Sequence, residues 1–323
     1  MTASGLKSLN QLRDTLGETV LATSTPFSEA ASVASQLVDQ PRRIHTDSRA
    51  PIPPQLQGAP ATLADVLCNN LIFSEAATAL QQCPMWVKTS RHVQLHLEVS
   101  SRTVIDSILI WASDIAQDLI IRFPELDESL QLRHGFGPQK GTVKIGDQVH
   151  DIHSWVALHQ GITIPPQIVS PGVSLHGKLN YVAGILDASM VDEDLNDGKR
   201  LRNLNVSTGL QRANFVNITE ANSLNIMAQH YDQALGEGAA ICAYADRNST
   251  VDVLTNGFLW SFIQVQKSST VKTQQLNSAE AKPFKYALTR QLDIERDLTM
   301  ILKLLVLAIL GDADDFHLLS ECC

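Results

Sequence analysis

VNITEANSLNIMAQ, residues Val216 to Gln229, decides how the chain is read. Its first half is apolar enough for a buried central strand. Its second half hands over to residues compatible with a helix. The junction carries Glu220, Ala221 and Asn222, with Ser223 next. Asn and Ser cap helices well, so the junction alone is compatible with an ordinary strand end and the cap of the following helix. Its meaning depends on its flanks.

Downstream, the pattern predicts a helix from about Ser223 to Ala245, with Leu224, Met227, Tyr231, Leu235 and Cys242 on one face. TVDVLTNGFLWSFIQV (250–265) places two β-rich runs around Thr255-Asn256-Gly257, where Asn-Gly favours a tight hairpin turn. Trp260 and Phe262 alternate on one strand face and read as core packing, not as a platform for stacked bases. A last helix, about Arg290 to Leu310, has acidic residues early and Gly311 just past its end.

Upstream, LQLRHG (130–135), GTVKIGDQVH (141–150), QIVSPGVSLHG (167–177) and LNYVAGIL (179–186) read as short β-type runs between Gly and Pro. Before them, Thr62 is positioned to cap a helix running to about Leu80. A longer helix is predicted from Glu98 to Ile121. Val104, Ile105, Ile108, Trp111, Ile115 and Leu119 form its apolar face, and its period ends at Phe123-Pro124. Residues 1–60 are rich in Ser, Thr, Ala, Gln and Pro, and RAPIPPQLQGAP (49–60) is a linker composition. They read as an irregular arm, partly disordered or draped over the body, with one short helix near Ser28 to Val38. Residues 61–323 then form one α/β domain, a mixed sheet with helices on its faces.

Composition narrows the function. The 323 residues carry a net charge of -9, and 44% are hydrophobic. Tight non-specific phosphate binding needs a Lys/Arg surplus, so nucleic acid is expected to bind weakly at most. Residues 62–171 hold seven Lys/Arg against eleven Asp/Glu, and residues 172–299 hold twelve against fourteen. Any nucleic-acid face therefore belongs to the second half. The local basic cluster Lys199, Arg200, Arg202 and Arg212 reads as a solvated loop. Five cysteines, Cys68, Cys83, Cys242, Cys322 and Cys323, have no metal-ligand spacing and no even-numbered disulfide framework. A reducing, intracellular setting is expected, cytoplasmic or nuclear. MTASGLKSLNQL lacks a secretory pattern, and Met300 to Leu310 is too short to span a bilayer, so no membrane partner is expected.

The segments HGKLNYVAGIL (176–186), FVNITEANS (215–223), AQHYDQALGE (228–237) and VDVLTNGFLWSFIQV (251–265) follow one another in an order. This order resembles the PD-(D/E)XK nuclease-like domains found in many fungal and some microbial proteins. In that pattern a Gly-x-x-Asp-Tyr strand precedes a strand ending Glu-Ala-Lys. A helix with an Ala-Gln pair follows, then a Leu-Thr-Asn/Asp-Gly-x-x-Trp-x-Phe hairpin. LEVSSRTVIDSILIWA (97–112) adds an acidic residue, Glu98, near the start of an early helix. The resemblance covers about residues 92–310 and implies a restriction-endonuclease-like mixed sheet flanked by helices.

It also implies a site. Gly177, Asn180 and Tyr181 match the first strand, and Glu220 and Asn222 match the second. Gln229 matches the helix glutamine. Thr255, Asn256, Gly257, Trp260 and Phe262 match the hairpin. An active site of this type holds Mg²⁺ or Mn²⁺ on an Asp and a Glu, here the positions of Asn180 and Glu220. Its Lys positions the attacking water and offsets charge on the transition state. This chain has Asn180 for the Asp and Asn222 for the Lys. Losing both charges should cost several kcal/mol at the transition state, since one donor alone is worth about 2.7–4 kcal/mol. The resemblance therefore implies a degenerate site with no cofactor, in a domain that binds, scaffolds or regulates a protein partner. One alternative is a divergent nuclease in which Asp187 or Asp192 replaces Asn180. The other is an unrelated α/β protein-interaction module.

Two further patterns carry less. His134, His150, His153, His159 and His176 cluster in sequence, and His150-Asp151-Ile152-His153 would need a third partner to hold zinc or iron. Scattered loop histidines are the simpler reading. HGFGPQKG (134–141) lacks the Gly-Lys-Ser/Thr ending of a phosphate loop.

Overall fold

The computed structural model describes residues 23–30, 33, 36–37, 42–43, 63, 72–82, 98–145, 147–190, 215–220, 227–268 and 282–311. In chain order the elements are strands β1 (Thr23–Pro26) and β2 (Arg42–Arg43), then helices α1 (Ile72–Gln82), α2 (Glu98–Arg122) and α3 (Pro124–His134). Strands β3 (Gly141–Ile145), β4 (Gln148–Ile152), β5 (Ser154–Ser170), β6 (Val173–Asp187) and β7 (Phe215–Glu220) follow. Helix α4 (Met227–Tyr244) leads into β8 (Ser249–Thr255), β9 (Leu259–Lys267), β10 (Phe284–Leu288), β11 (Leu292–Asp293) and helix α5 (Ile294–Leu310).

Nine strands form one mixed sheet in the order β1-β6-β7-β8-β9-β10-β2, with β5 also on β6 and β11 also on β9. β5, β6 and β7 run antiparallel in succession, and α4 then carries the chain across to β8, parallel to β7. Two pieces of residues 1–60 supply the ends of this order: β1 pairs parallel with β6, and β2 with β10.

Every residue of β8 is buried, because helices cover both faces of the sheet. On one face α1, α2 and α5 pack against Tyr181, Ile218, Val253, Trp260 and Phe262. On the other, α4 and Phe27 pack against Leu175, Leu179, Val182, Leu254 and Ile263. The expected apolar face of α2 is buried at Val104, Ile105, Ile108, Ile115 and Leu119, with Trp111 packed at its margin.

Several elements depart from the sequence expectation. LQLRHG is not a strand; it closes α3. Pro124 stops α2 but sits in the first turn of α3, where its missing N–H costs nothing. Gly135, in the left-handed region at φ 64°, caps that helix by donating to the Gln131 and Leu132 carbonyls. The short runs between 154 and 187 merge into two long strands of 17 and 15 residues, joined at Pro171-Gly172 with Gly172 at φ 75°. Pro165-Pro166 is tolerated because β5 pairs with β6 alone among the described residues, and the register shifts between Ile164 and Gln167. The Asn256-Gly257 turn forms, but Gly257 alone takes a positive φ, 90°. The Asn256 carboxamide oxygen accepts from the Phe258 and Leu259 amides and makes the bend. The helix expected from Thr62 is described from Ile72, and Thr62 lies outside the described residues.

The side of β5 that carries no strand among the described residues is closed by side chains at and just before its start. Val156 N–H donates to Gln117 Oε1 of α2 at 2.8 Å, and His153 N–H donates to Asp127 Oδ2 of α3 at 2.8 Å. Gln117 and Asp127 are both buried, which removes backbone donors that would otherwise pair with another chain.

Candidate functional site

The motif segments occupy elements of the expected kinds. Asn180 lies on β6 and is half-buried. Glu220 ends β7, Gln229 is in the first turn of α4, and Glu98 begins α2. Asn222 lies outside the described residues. β6 and β7 are hydrogen-bonded neighbours, in register from Tyr181–Ile218 to Gly184–Phe215. Asn180 is one residue beyond that ladder on β6, and Glu220 two residues beyond it on β7. Glu220 pairs in turn with Thr255 of β8.

Other motif residues have packing roles. A Cβ on Gly177 would meet the Phe27 ring at 2.4 Å, so only glycine admits that ring. Tyr181, Trp260 and Phe262 belong to the core beneath α2 and α5. The Trp260 indole donates to the Gly257 carbonyl at 3.1 Å, and Thr255 Oγ1 accepts from the Gly257 amide at 2.9 Å. These residues build the hairpin and its support.

Asn180 brings a neutral oxygen, which draws Mg²⁺ from its hydration shell poorly. Asp187 is seven residues further along β6, about 23 Å away at roughly 3.3 Å per residue. Its carboxylate is also committed, accepting from the Ser189 amide and hydroxyl at 2.9 and 2.6 Å. It does not replace Asn180. Asp192 lies outside the described residues. Among the described residues no three His, Cys, Asp or Glu side chains converge on a possible metal position, those near His150 and His153 included.

The strongest polar constellation is one that the motif pattern does not mark. Asn217 of β7 and Asp252 of β8 are directly paired across the sheet, and both are fully buried under α4. Glu237 of α4, 2% exposed, accepts from Asn217 Nδ2 at 2.6 Å and from Gln233 Nε2 at 2.8 Å. Gln233 Oε1 lies 3.2 Å from His230 Nδ1, nearer the start of the helix. A chain of polar contacts thus runs from half-buried His230 down one face of α4 to the centre of the sheet. Tyr231, on the same helix, bonds Ser261 of β9 at 3.0 Å.

Burial pushes the Asp252 carboxyl well above the ordinary carboxylate range. The Asn217 amide opposes that shift, and the Glu237 charge adds to it. Neither Asp252 oxygen has a well-aligned hydrogen bond among the described residues. The sequence signal was a polar residue inside each of two apolar strands, VNI and VDV. What it lacked was the crossover by α4 that brings Glu237 over both. No family model matches the chain, and no curated protein matches it.

Proposed function

We propose that the chain is a non-catalytic domain of PD-(D/E)XK nuclease-like, restriction-endonuclease-like build that binds a protein partner. The observation that carries this reading is the run β6-β7-α4-β8-β9. It holds the motif segments in the order of the resemblance, with β6 and β7 side by side, while Asn stands at both 180 and 222. On this reading the strands lack a ligand charge and a catalytic cation, which suits binding and not phosphodiester hydrolysis. The commitment of Asp187 to Ser189, far along β6, weakens the divergent-nuclease alternative. The acidic balance of the chain favours a protein over nucleic acid as partner.

The test is direct. The purified protein is incubated with single- and double-stranded DNA and with RNA, in Mg²⁺ or Mn²⁺. No cleavage above background is expected. Cleavage that Glu220→Ala abolishes would overturn the reading, because another group would then supply the missing charge.

A further inference from the structure

Asp252 sits at the centre of the sheet, 0% exposed, with α4 directly above it. The helix comes so close that a Cβ on Gly238 would lie 2.2 Å from Asp252 Oδ2. An ionised carboxylate in such a place needs donors, and the neighbours do not offer enough. Asn217 gives one of its two Nδ2 hydrogens to Glu237 at 2.6 Å, and what its amide offers Asp252 does not offset the burial. On the β9 side, the residues nearest are Ile263, paired with Asp252, and Val265, packed on Gly238. No Lys or Arg among the described residues forms an ion pair with Asp252. An uncompensated buried charge is expensive, and a carboxyl group escapes that cost by keeping its proton.

We propose that Asp252 is the neutral acid in the folded protein, its O–H directed to Asn217, and that this proton latches α4 onto β7 and β8, so that the packing of α4 loosens as pH rises. Asn217 is suited to the middle position, since its carboxamide donates to Glu237 and presents an oxygen as acceptor. On ionisation the proton leaves to solvent. Two carboxylates then face each other through one amide in a region that excludes water.

The other titratable groups around the latch do not substitute for that proton. From α4 these are Glu237, then His230 and Asp232 nearer its start, Tyr231 bonded to Ser261, and Cys242 with its thiol 3.9 Å from the Val265 carbonyl. From β10 comes Tyr286, which packs at the edge of this core, its phenol raised by burial and by Asp232. From β5 comes His159, three strands from Asp252 in the same row through Val182 and Asn217, its imidazole pKa lowered by burial. None of these brings a fixed positive charge to Asp252.

The direction of the pH effect follows from linkage. The folded protein keeps a proton that the unfolded chain releases in the ordinary carboxylate range. Between those two values the folded state binds more protons, so each rise in pH lowers stability. Below the unfolded value the contribution is complete, and above the folded value it is lost.

The experiment compares urea unfolding of the parent and Asp252→Asn from about pH 5 to about pH 9, since Asn imitates the neutral acid in shape and retains a donor. Over the window in which Asp252 titrates, the parent's folded-to-unfolded ratio should fall by about tenfold per pH unit relative to the variant. Protection of the α4 amides, measured against the base-catalysed exchange rate common to both proteins, should fall with pH in the parent alone. Parallel pH profiles for the two proteins would overturn the proposal. If Asp252→Asn does not fold, the carboxyl carbon of Asp252 in the parent, followed by NMR, gives the same answer. A neutral carboxyl through the ordinary range supports the latch, and ionisation at the usual carboxylate value refutes it.

Discussion

Asn217 on β7 donates to Glu237 on α4 at 2.6 Å, and solvent reaches almost nothing of either side chain. This single bond ties the central strand pair to the helix that crosses over it. Asn217→Ala should cost about 2–4 kcal/mol, because it leaves Glu237 short of a donor inside the core. Urea denaturation midpoints measure it. A cost under about 1 kcal/mol would mean that Glu237 does not depend on that donor.

The closure of β5 gives a second expectation. Gln117→Leu fills similar space but removes the acceptor for the Val156 amide. About 1–2 kcal/mol of stability should be lost, and self-association should increase at high concentration because an edge donor is uncovered. Sedimentation velocity and exchange of the Val156 amide check both parts. Slow exchange at Val156 in a monomeric variant would contradict the role given to Gln117.

The start of α5 is clamped by charge. Arg290 grips Asp297 with two contacts, 3.1 and 2.9 Å, and Asp297 also accepts from the Asp293 amide at 2.9 Å. Asp293 caps the helix by accepting from the Glu295 amide. The hydrogen bond from Arg290 holds the Asp297 carboxyl below its ordinary range, against the opposing effect of burial. A lowered folded value means that the stabilisation is complete above the unfolded carboxylate value. It is lost as pH falls through the folded one. Asp297→Asn should therefore cost about 0.5–1.5 kcal/mol near neutrality, a modest figure because Arg290 is half exposed. The difference from the parent should close in acid. A difference that persists unchanged in strong acid would point to helix geometry instead of charge.

Gly257 makes a fourth case. Its φ of 90° suits glycine, and a Cβ there would meet the Ser101 carbonyl oxygen at 3.0 Å. Gly257→Ala should cost about 1–3 kcal/mol through backbone strain and displacement of α2. Thermal unfolding of the variant measures it, and an unchanged midpoint would show that the turn can relax into another form.

Much of the fold was legible where one period dominates. The apolar face of α2 and the buried pair Trp260 and Phe262 follow from spacing alone, as does the Asn256-Gly257 turn. α3 was hidden because Pro124 reads as a stop, although proline also starts helices. Gly311 stands just past α5 as expected, but its φ is -80° and not left-handed. There a Cβ would meet the Leu307 carbonyl oxygen at 2.6 Å, so close packing explains the glycine. The chain from Glu237 through Asn217 to Asp252 joins residues far apart in sequence. Strand register and a helical crossover bring them together, and neither is written in local periodicity. Asn180, Glu220, Gln229 and Glu98 stand on the strands and helices expected for them, whereas convergence of side chains is a matter of tertiary geometry.

Titration calorimetry with Mn²⁺ decides whether Asn180 and Asn222 belong to one metal site that has lost its charges. The parent is compared with the double variant Asn180→Asp and Asn222→Lys. Asp supplies a charged ligand at nearly the size of Asn, and Lys supplies the cation that the resemblance implies. The parent should bind Mn²⁺ weakly or undetectably, and the variant should bind it clearly more tightly. Glu220→Ala added to the double variant should reverse the gain, and the two restoring substitutions should not be additive. A well-folded double variant with the parent's Mn²⁺ affinity would mean that these positions do not form one site.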